Sequence, residues 1–218
     1  MNSFLPHSIA NQHFWVTADR TIFWEEKKAL ILSDLHLGKS GHFRKNGIGI
    51  PQNMFQEDMH RLMHNIQHFK AEQLIIVGDL FHSHNNKEHD LFLKWRHDIA
   101  NIAIHLILGN HDILTKDWYD QANIQLHDKI LVKDKFVFTH DMEGIAIEDG
   151  LYYFSGHIHP GVVMRGIGKQ VLRLPCFYFS SSQAILPAFG KFTGIHPIEA
   201  KKEDKVFVLA ENNIFQLQ

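Results

Sequence analysis

Along the first half of the chain, apolar residues come in short runs, each closed by glycine or a polar residue. HFWVT (13–17), TIFWEE (21–26) and ALILS (29–33) read as two or three short strands, turned at Ala18-Asp19-Arg20 and again around Lys27-Lys28. The last is continuously apolar, as a strand covered on both faces would be. Phe55, Met59, Leu62, Ile66 and Phe69 then recur at spacings of four and three, the period of an amphipathic helix begun near Pro51-Gln52-Asn53. QLIIVGD follows as a buried strand. A second helix is predicted over Glu88 to Ala100, with Leu91, Trp95 and Ile99 on one face, before the strand AIHLILGN. A β-α-β-α-β alternation of this kind predicts a mostly parallel central layer.

Beyond Ile124 the texture changes to closely spaced strands: ILVKD, KFVFTH, LYYFSGH, VVMRGI, QVLRLP, FYFSSSQ and KVFVLA. Turns containing Gly150 and Gly168 separate some of them, so the second half reads as an antiparallel-rich sheet. No internal repeat, low-complexity tract or long linker divides the chain, and 1–218 is expected to be a single domain.

Composition narrows the class only a little. A formal net charge of −2 provides no general basic field for a polyanion, so any attraction for phosphate has to be local. There is no cationic segment leading into an apolar run at the start and no long apolar stretch elsewhere, which predicts a soluble, cytoplasmic protein without a membrane partner. A single cysteine, Cys176, excludes an intrachain disulfide and a thiolate zinc cluster; Pro175, Phe177 and Tyr178 around it predict a buried thiol. The 18 histidines are the unusual feature, since imidazole is the commonest protein ligand for borderline divalent metals.

Position decides which histidines matter. ALILSDLH, LIIVGDLFH and HLILGNHD are apolar strands ending in groups able to bind metal, and in a parallel layer ligands gather outside the carboxyl ends of strands. Asp34, His36, Asp79, Asn110, His111 and Asp112 are thereby expected on one rim. KFVFTH and YYFSGHIH end the same way and add His140, His157 and His159. The i, i+2 spacing of Asp34/His36 and of His157/His159 lets an extended or turning backbone present both side chains to one side. Asp79 has two oxygens with which to bridge two cations. With only two carboxylates among seven ligands, the cations would keep the positive charge that Lewis-acid catalysis requires.

The ordered blocks D-x-H, G-D, G-N-H-D, H and G-H-x-H, spanning Asp34 to His159, resemble the calcineurin-like metallophosphoesterase superfamily. The resemblance implies an α/β fold, an αββα sandwich of two mixed β-sheets flanked by helices. It also implies two divalent cations, Mn2+ foremost and Fe or Zn2+ as alternatives. Asp34, His36 and His159 would bind the first, Asn110, His140 and His157 the second, and Asp79 would bridge. His111 would be the catalytic general acid, oriented by Asp112, with the attacking water activated on the cations. The second block departs from the usual pattern by continuing Leu80-Phe81-His82-Ser83-His84, where the family often has an acidic residue or arginine. His82 is a candidate for the rim of the site.

SDLHLGKSGHFRKNGIGIP and LPAFGKFTG look like segments of the bacterial ligase-associated DNA damage response endonucleases. On that resemblance the substrate is nucleic acid, foremost DNA in repair, with a ligase or helicase among the expected partners. Lys39, Arg44 and Lys45 would contact its phosphates from a glycine-containing loop. Two other functions are compatible with the sequence: hydrolysis of a small phosphodiester or pyrophosphate, and a non-catalytic interaction module. The last normally loses ligands, and here every ligand position is filled.

Overall fold

The computed structural model describes residues 3–38, 54–81, 87–166, 168, 170–191 and 193–217. Its first sheet runs in chain order: β1 (Phe4–Ile9), β2 (Gln12–Thr17), β3 (Ile22–Trp24), β4 (Ala29–Leu32), β5 (Gln73–Val77), β6 (Ala103–Ile107) and β7 (Ile124–His127). Strands β1 to β4 are antiparallel; β4 to β7 are parallel. The parallel part alternates between two interiors, as the two-residue period of a strand requires. Leu30, Leu32, Leu74, Ile76, Ile104 and Leu106 face the helices α1 (Met54–Phe69), α2 (Lys87–Asp98) and α3 (Lys116–Gln121). Ile31, Ile75, Val77 and Ile107 face the second sheet. Each such aliphatic side chain contributes about 1.5–3 kcal/mol by leaving water.

The second sheet is ordered β14-β11-β12-β13-β10-β9-β8, with β15 and β16 branching from β12. These strands are β8 (Ile130–Lys133), β9 (Phe136–Thr139), β10 (Tyr152–Ser155), β11 (Pro160–Arg165), β12 (Val171–Phe179), β13 (Gln183–Ile185), β14 (His196–Pro197), β15 (Lys205–Ala210) and β16 (Asn213–Gln216). Phe136, Phe138, Phe154, Phe177 and Phe207 pack from it against the first sheet. The two mixed sheets are thus those expected from the sequence. Cys176 is fully buried, and burial pushes its thiol up to about 12.

Three local readings change. The α2 face is rotated: Leu91 is 43% exposed, while His89, Phe92, Arg96 and Ile99 are buried. Arg96 turns inward because its guanidinium donates to the carbonyls of Ile99, Ile102 and Ala122, groups that a leucine would leave unsatisfied. QVLRLP and FYFSSSQ are not two strands: Val171–Phe179 is one strand, with Pro175 where it passes from pairing with β11 to pairing with β13 and β15. The second sheet is also less antiparallel than expected, since β9, β10 and β13 run parallel. That matters for function, because it brings the carboxyl ends of β9 and β10 to one side, as in the first sheet. No helix among the described residues is long and apolar enough to cross a membrane.

Candidate metal centre

Two loops fix the place where the sheets meet. Beyond β13 the chain crosses from the second sheet to the first: Leu186 N–H donates to Ser155 O, and Phe189 N–H to Ser33 O. Gly190 N–H then donates to the carbonyl of Asp34 itself, at 3.1 Å. Two arginines hold this crossing. Arg20 Nη1 donates to the carbonyls of Ala188 and Gly190, both at 3.0 Å. Arg61 donates to Phe189 O at 2.7 Å, pairs with Asp58 at 2.7 Å and lies over the Phe189 ring. The LPAFG part of LPAFGKFTG is therefore a clamp on the loop that carries Asp34.

On this frame the strand ends converge as the parallel topology predicts. Asp34 Oδ1 lies 3.2 Å from His159 Nε2 and 3.8 Å from His36 Nε2. Asp79 stands between two groups: its Oδ2 is 3.8 Å from His36 Nε2, and its Oδ1 is 3.6 Å from His140 Nε2. His157 Nδ1 reaches His140 Nε2 at 3.2 Å. Asp34, His36, Asp79 and His140 form a buried floor, whereas His157 and His111 are 36% and 45% exposed at the side-chain level. The centre is thus closed below and open above, as a site that must admit a substrate has to be.

The residues fit metal on several independent grounds. Asp34 Oδ1 and His159 Nε2 are buried without a hydrogen-bond partner, although a buried polar atom without one costs about 1–3 kcal/mol. Ligands about 2.1 Å from a common ion stand roughly 3–4 Å apart, which matches the separations above. Asp34, His36 and His159 form one group able to hold an ion; Asp34, Asp79 and His140 form another. His140 Nδ1 donates to Val77 O at 3.1 Å, so its Nε2 keeps a lone pair for the centre. The backbone is strained here too. Asp34, His36, Asp79, His157 and His159 account for five of the thirteen non-glycine residues with positive φ among those described. Each costs on the order of 1–3 kcal/mol, a cost that concentrates where function requires it.

Outer partners complete the set. Ser33 Oγ and the backbone N–H of His157 both donate to Asp34 Oδ2. Against the opposing effect of burial, His159, His140 and the Ser33 hydroxyl hold the Asp34 carboxyl below its ordinary range. Asp112 accepts from the backbone N–H groups of Asp79, Leu80 and Gly109 at 2.8–2.9 Å, tying the loops after β5 and β6 together. Burial, with the Asp79 charge beside it, pushes its carboxyl up to about 6 despite those donors. Its carboxylate thus braces the loops on either side of His111 through their backbone N–H groups. Asp141, whose Oδ2 is 3.8 Å from His157 Nε2, had no sequence signal beyond its place after His140. Asn110 is exposed in the turn after β6 and makes no side-chain hydrogen bond among the described residues. Lys39, Arg44, Lys45 and His82 lie outside the described residues.

Similarity to a solved structure completes the picture. The nuclease MPE of Pseudomonas putida matches with a TM-score of 0.83 and 28% sequence identity, over 98% of this chain and 100% of that one. The chain shares the metallophosphoesterase-like fold of that nuclease. More remote is Yfce, a phosphoesterase from E. coli, with a TM-score of 0.43 and 16% identity over 84% of this chain and 88% of that one. No family model and no curated protein matches the chain.

Glycine packing in this centre provides a direct test. A Cβ on Gly109 would stand 2.6 Å from the backbone nitrogen of Asp79 and closer still to its Oδ1. Gly109→Ala must therefore shift the loop that presents Asp79. A loss of about 10- to 100-fold in divalent-metal affinity is expected, as for other changes to the surroundings of metal ligands. Calorimetric titration with Mn2+ checks it, and unchanged affinity would show that the loop does not set ligand geometry.

Proposed function

We propose that the chain is a two-metal phosphodiesterase that cleaves nucleic acid, foremost single-stranded or damaged DNA, in the manner of a repair endonuclease. The observation that carries this reading is the position of Asp79 between the His36 and His140 groups, on a fold shared with a nuclease. Asp34, His36 and His159 would hold one cation, and Asn110, His140 and His157 the other, with Asp79 between them. The mixed nitrogen and oxygen set, without sulfur, suits Mn2+, Fe or Zn2+.

When bound, the cations would supply Lewis acidity toward the phosphoryl oxygens and activate a water for attack. The chain's own residues do the rest. Asp34 and Asp79 offset part of the positive charge, and the Ser33 hydroxyl and the His157 backbone N–H keep Asp34 oriented. His111 reaches over the open side from a turn pinned by its own N–H to Asp79 Oδ1 at 2.9 Å. Its Nε2 is 4.0 Å from Asp79 Oδ2, near enough to deliver a proton to an oxygen leaving a phosphate seated there.

The test compares substrates. Mn2+-loaded protein should cleave a single-stranded deoxyoligonucleotide with kcat/KM at least about 10-fold above that for bis(p-nitrophenyl) phosphate, because neighbouring phosphates add contacts a small ester lacks. Hydrolysis of the small ester alone, with the oligonucleotide untouched, would make this a small-molecule phosphodiesterase.

A further inference from the structure

Beside His159 the surface opens into a pocket of about 210 Å³, walled by Arg20, Arg173, Lys191 and Thr193 along with apolar groups. Among the described residues no acidic group lines it, although the chain as a whole carries a net charge of −2. Its three cations come from distant parts of the chain: the turn before β3, the strand β12, and the segment after the clamp on Asp34. Arg173 and Lys191 are exposed, and neither forms an ion pair with a described residue. Asp58 acts electrostatically on both Lys191 and Arg20, but it is already paired with Arg61. Arg20 Nη1 is fixed by two carbonyls, and its other N–H groups make no hydrogen bond among the described residues. Thr193 Oγ1 donates to Gly190 O, which leaves its lone pairs free to accept.

Three like charges facing one pocket, with a single shared carboxylate near them that is already paired, repel one another, and such a wall beside the candidate metal centre implies an anion that offsets the cost. We propose that this pocket is a phosphate-binding subsite, holding the backbone phosphate next along the strand from the one cleaved at the metal centre. Arg173 supplies a planar fork for two phosphate oxygens, and Lys191 a movable point charge opposite it. Arg20 plays a second part: the guanidinium that anchors Ala188 and Gly190, and through Gly190 the Asp34 loop, also forms the pocket wall. A phosphate there is thereby held in register with the ligand set. The LPAFGKFTG segment thus joins two functions, its first half clamping Asp34 and its Lys191 and Thr193 facing the neighbouring phosphate.

This inference rests on the nucleic-acid reading above, and its test keeps the two apart. The Mn2+-loaded full chain is given single-stranded oligonucleotides in which the phosphates flanking the cleaved linkage are replaced, one at a time, by neutral methylphosphonates. At one flanking position the parent should lose about 10-fold or more in kcat/KM, carried by KM, as expected for losing a charge-assisted contact. Arg173→Gln combined with Lys191→Gln should show that loss on the all-phosphate strand and no further loss on the replaced one. The salt dependence of KM should also flatten by about 0.7 in log–log slope for the one phosphate given up. Arg165→Gln, which removes a charge from β11 outside the pocket, should behave as the parent. The subsite is overturned if no flanking position is sensitive, if the double variant keeps the parent's sensitivity, or if Arg165→Gln raises KM equally. If the parent leaves every oligonucleotide intact, the nucleic-acid reading falls. The subsite is then decided on thymidine p-nitrophenyl phosphates with and without a second phosphate. A KM advantage for the second phosphate that the double variant loses sustains it, and equal KM values overturn it.

Discussion

Asp79→Ala is expected to reduce turnover to the background of the metal-stripped protein, and to lower the Mn2+ bound per chain from two equivalents to one or none. Its two oxygens face different histidines, so their loss removes the anionic group from between the ligand sets. The effect should exceed the about 10- to 100-fold cost of removing an outer partner. Asp79→Asn separates charge from shape, because the amide can still accept the His111 N–H that now ends on Oδ1. Asp34 and Asp79 are both buried carboxylates, and without a cation they oppose each other across the centre. The metal-free Asp79→Asn protein should therefore melt no lower than the metal-free parent, while the rise in Tm on adding Mn2+ shrinks or disappears, following the linkage between affinity and stability. Undiminished two-equivalent binding by the Ala variant would remove Asp79 from the bridging position.

How far this centre could be read without coordinates depended on topology. The parallel run β4-β5-β6 was visible as apolar segments alternating with helical periods, and a parallel run fixes where its strand ends lie; Asp34, Asp79 and the turn at Asn110 follow from that alone. The histidines after β9 and β10 were found as polar strand ends, but the parallel pairing that brings them to the same rim was not foreseeable. β9 and β10 are joined by residues 140–151, which lack the helix that usually carries a parallel crossover. Burial within helices was misread where a polar residue faces inward: nothing in the 3.6-residue period reveals that Arg96 serves carbonyls while Leu91 faces solvent. The clamp was invisible for a related reason. Arg20 and Arg61 act on main-chain carbonyls of Ala188, Phe189 and Gly190, more than 100 residues away, and a carbonyl leaves no trace in a sequence.

His111→Asn is expected to lower kcat by roughly 10²–10⁴ on an ester with a poor leaving group, the range over which general acid–base help operates, and to leave metal affinity unchanged. Both parts follow from the geometry. The imidazole is 45% exposed and stands 4.0 Å from Asp79, on the open side of the centre, whereas Asp34, His36, Asp79 and His140 are buried. Its backbone N–H holds Asp79 whatever the side chain is. A p-nitrophenyl ester departs without needing a proton and should lose much less, so the ratio of the two losses reports proton transfer to the leaving oxygen. Asp112→Asn provides the contrast. Its carboxylate holds the backbone N–H groups of Asp79, Leu80 and Gly109, so its replacement should weaken metal binding along with kcat and affect both esters alike. If instead Asp112→Asn reproduced the leaving-group dependence of His111→Asn with metal affinity intact, it would be acting on the imidazole. Equal losses by His111→Asn on both esters would take the general acid away from this residue and leave it as a group that binds the phosphoryl oxygens.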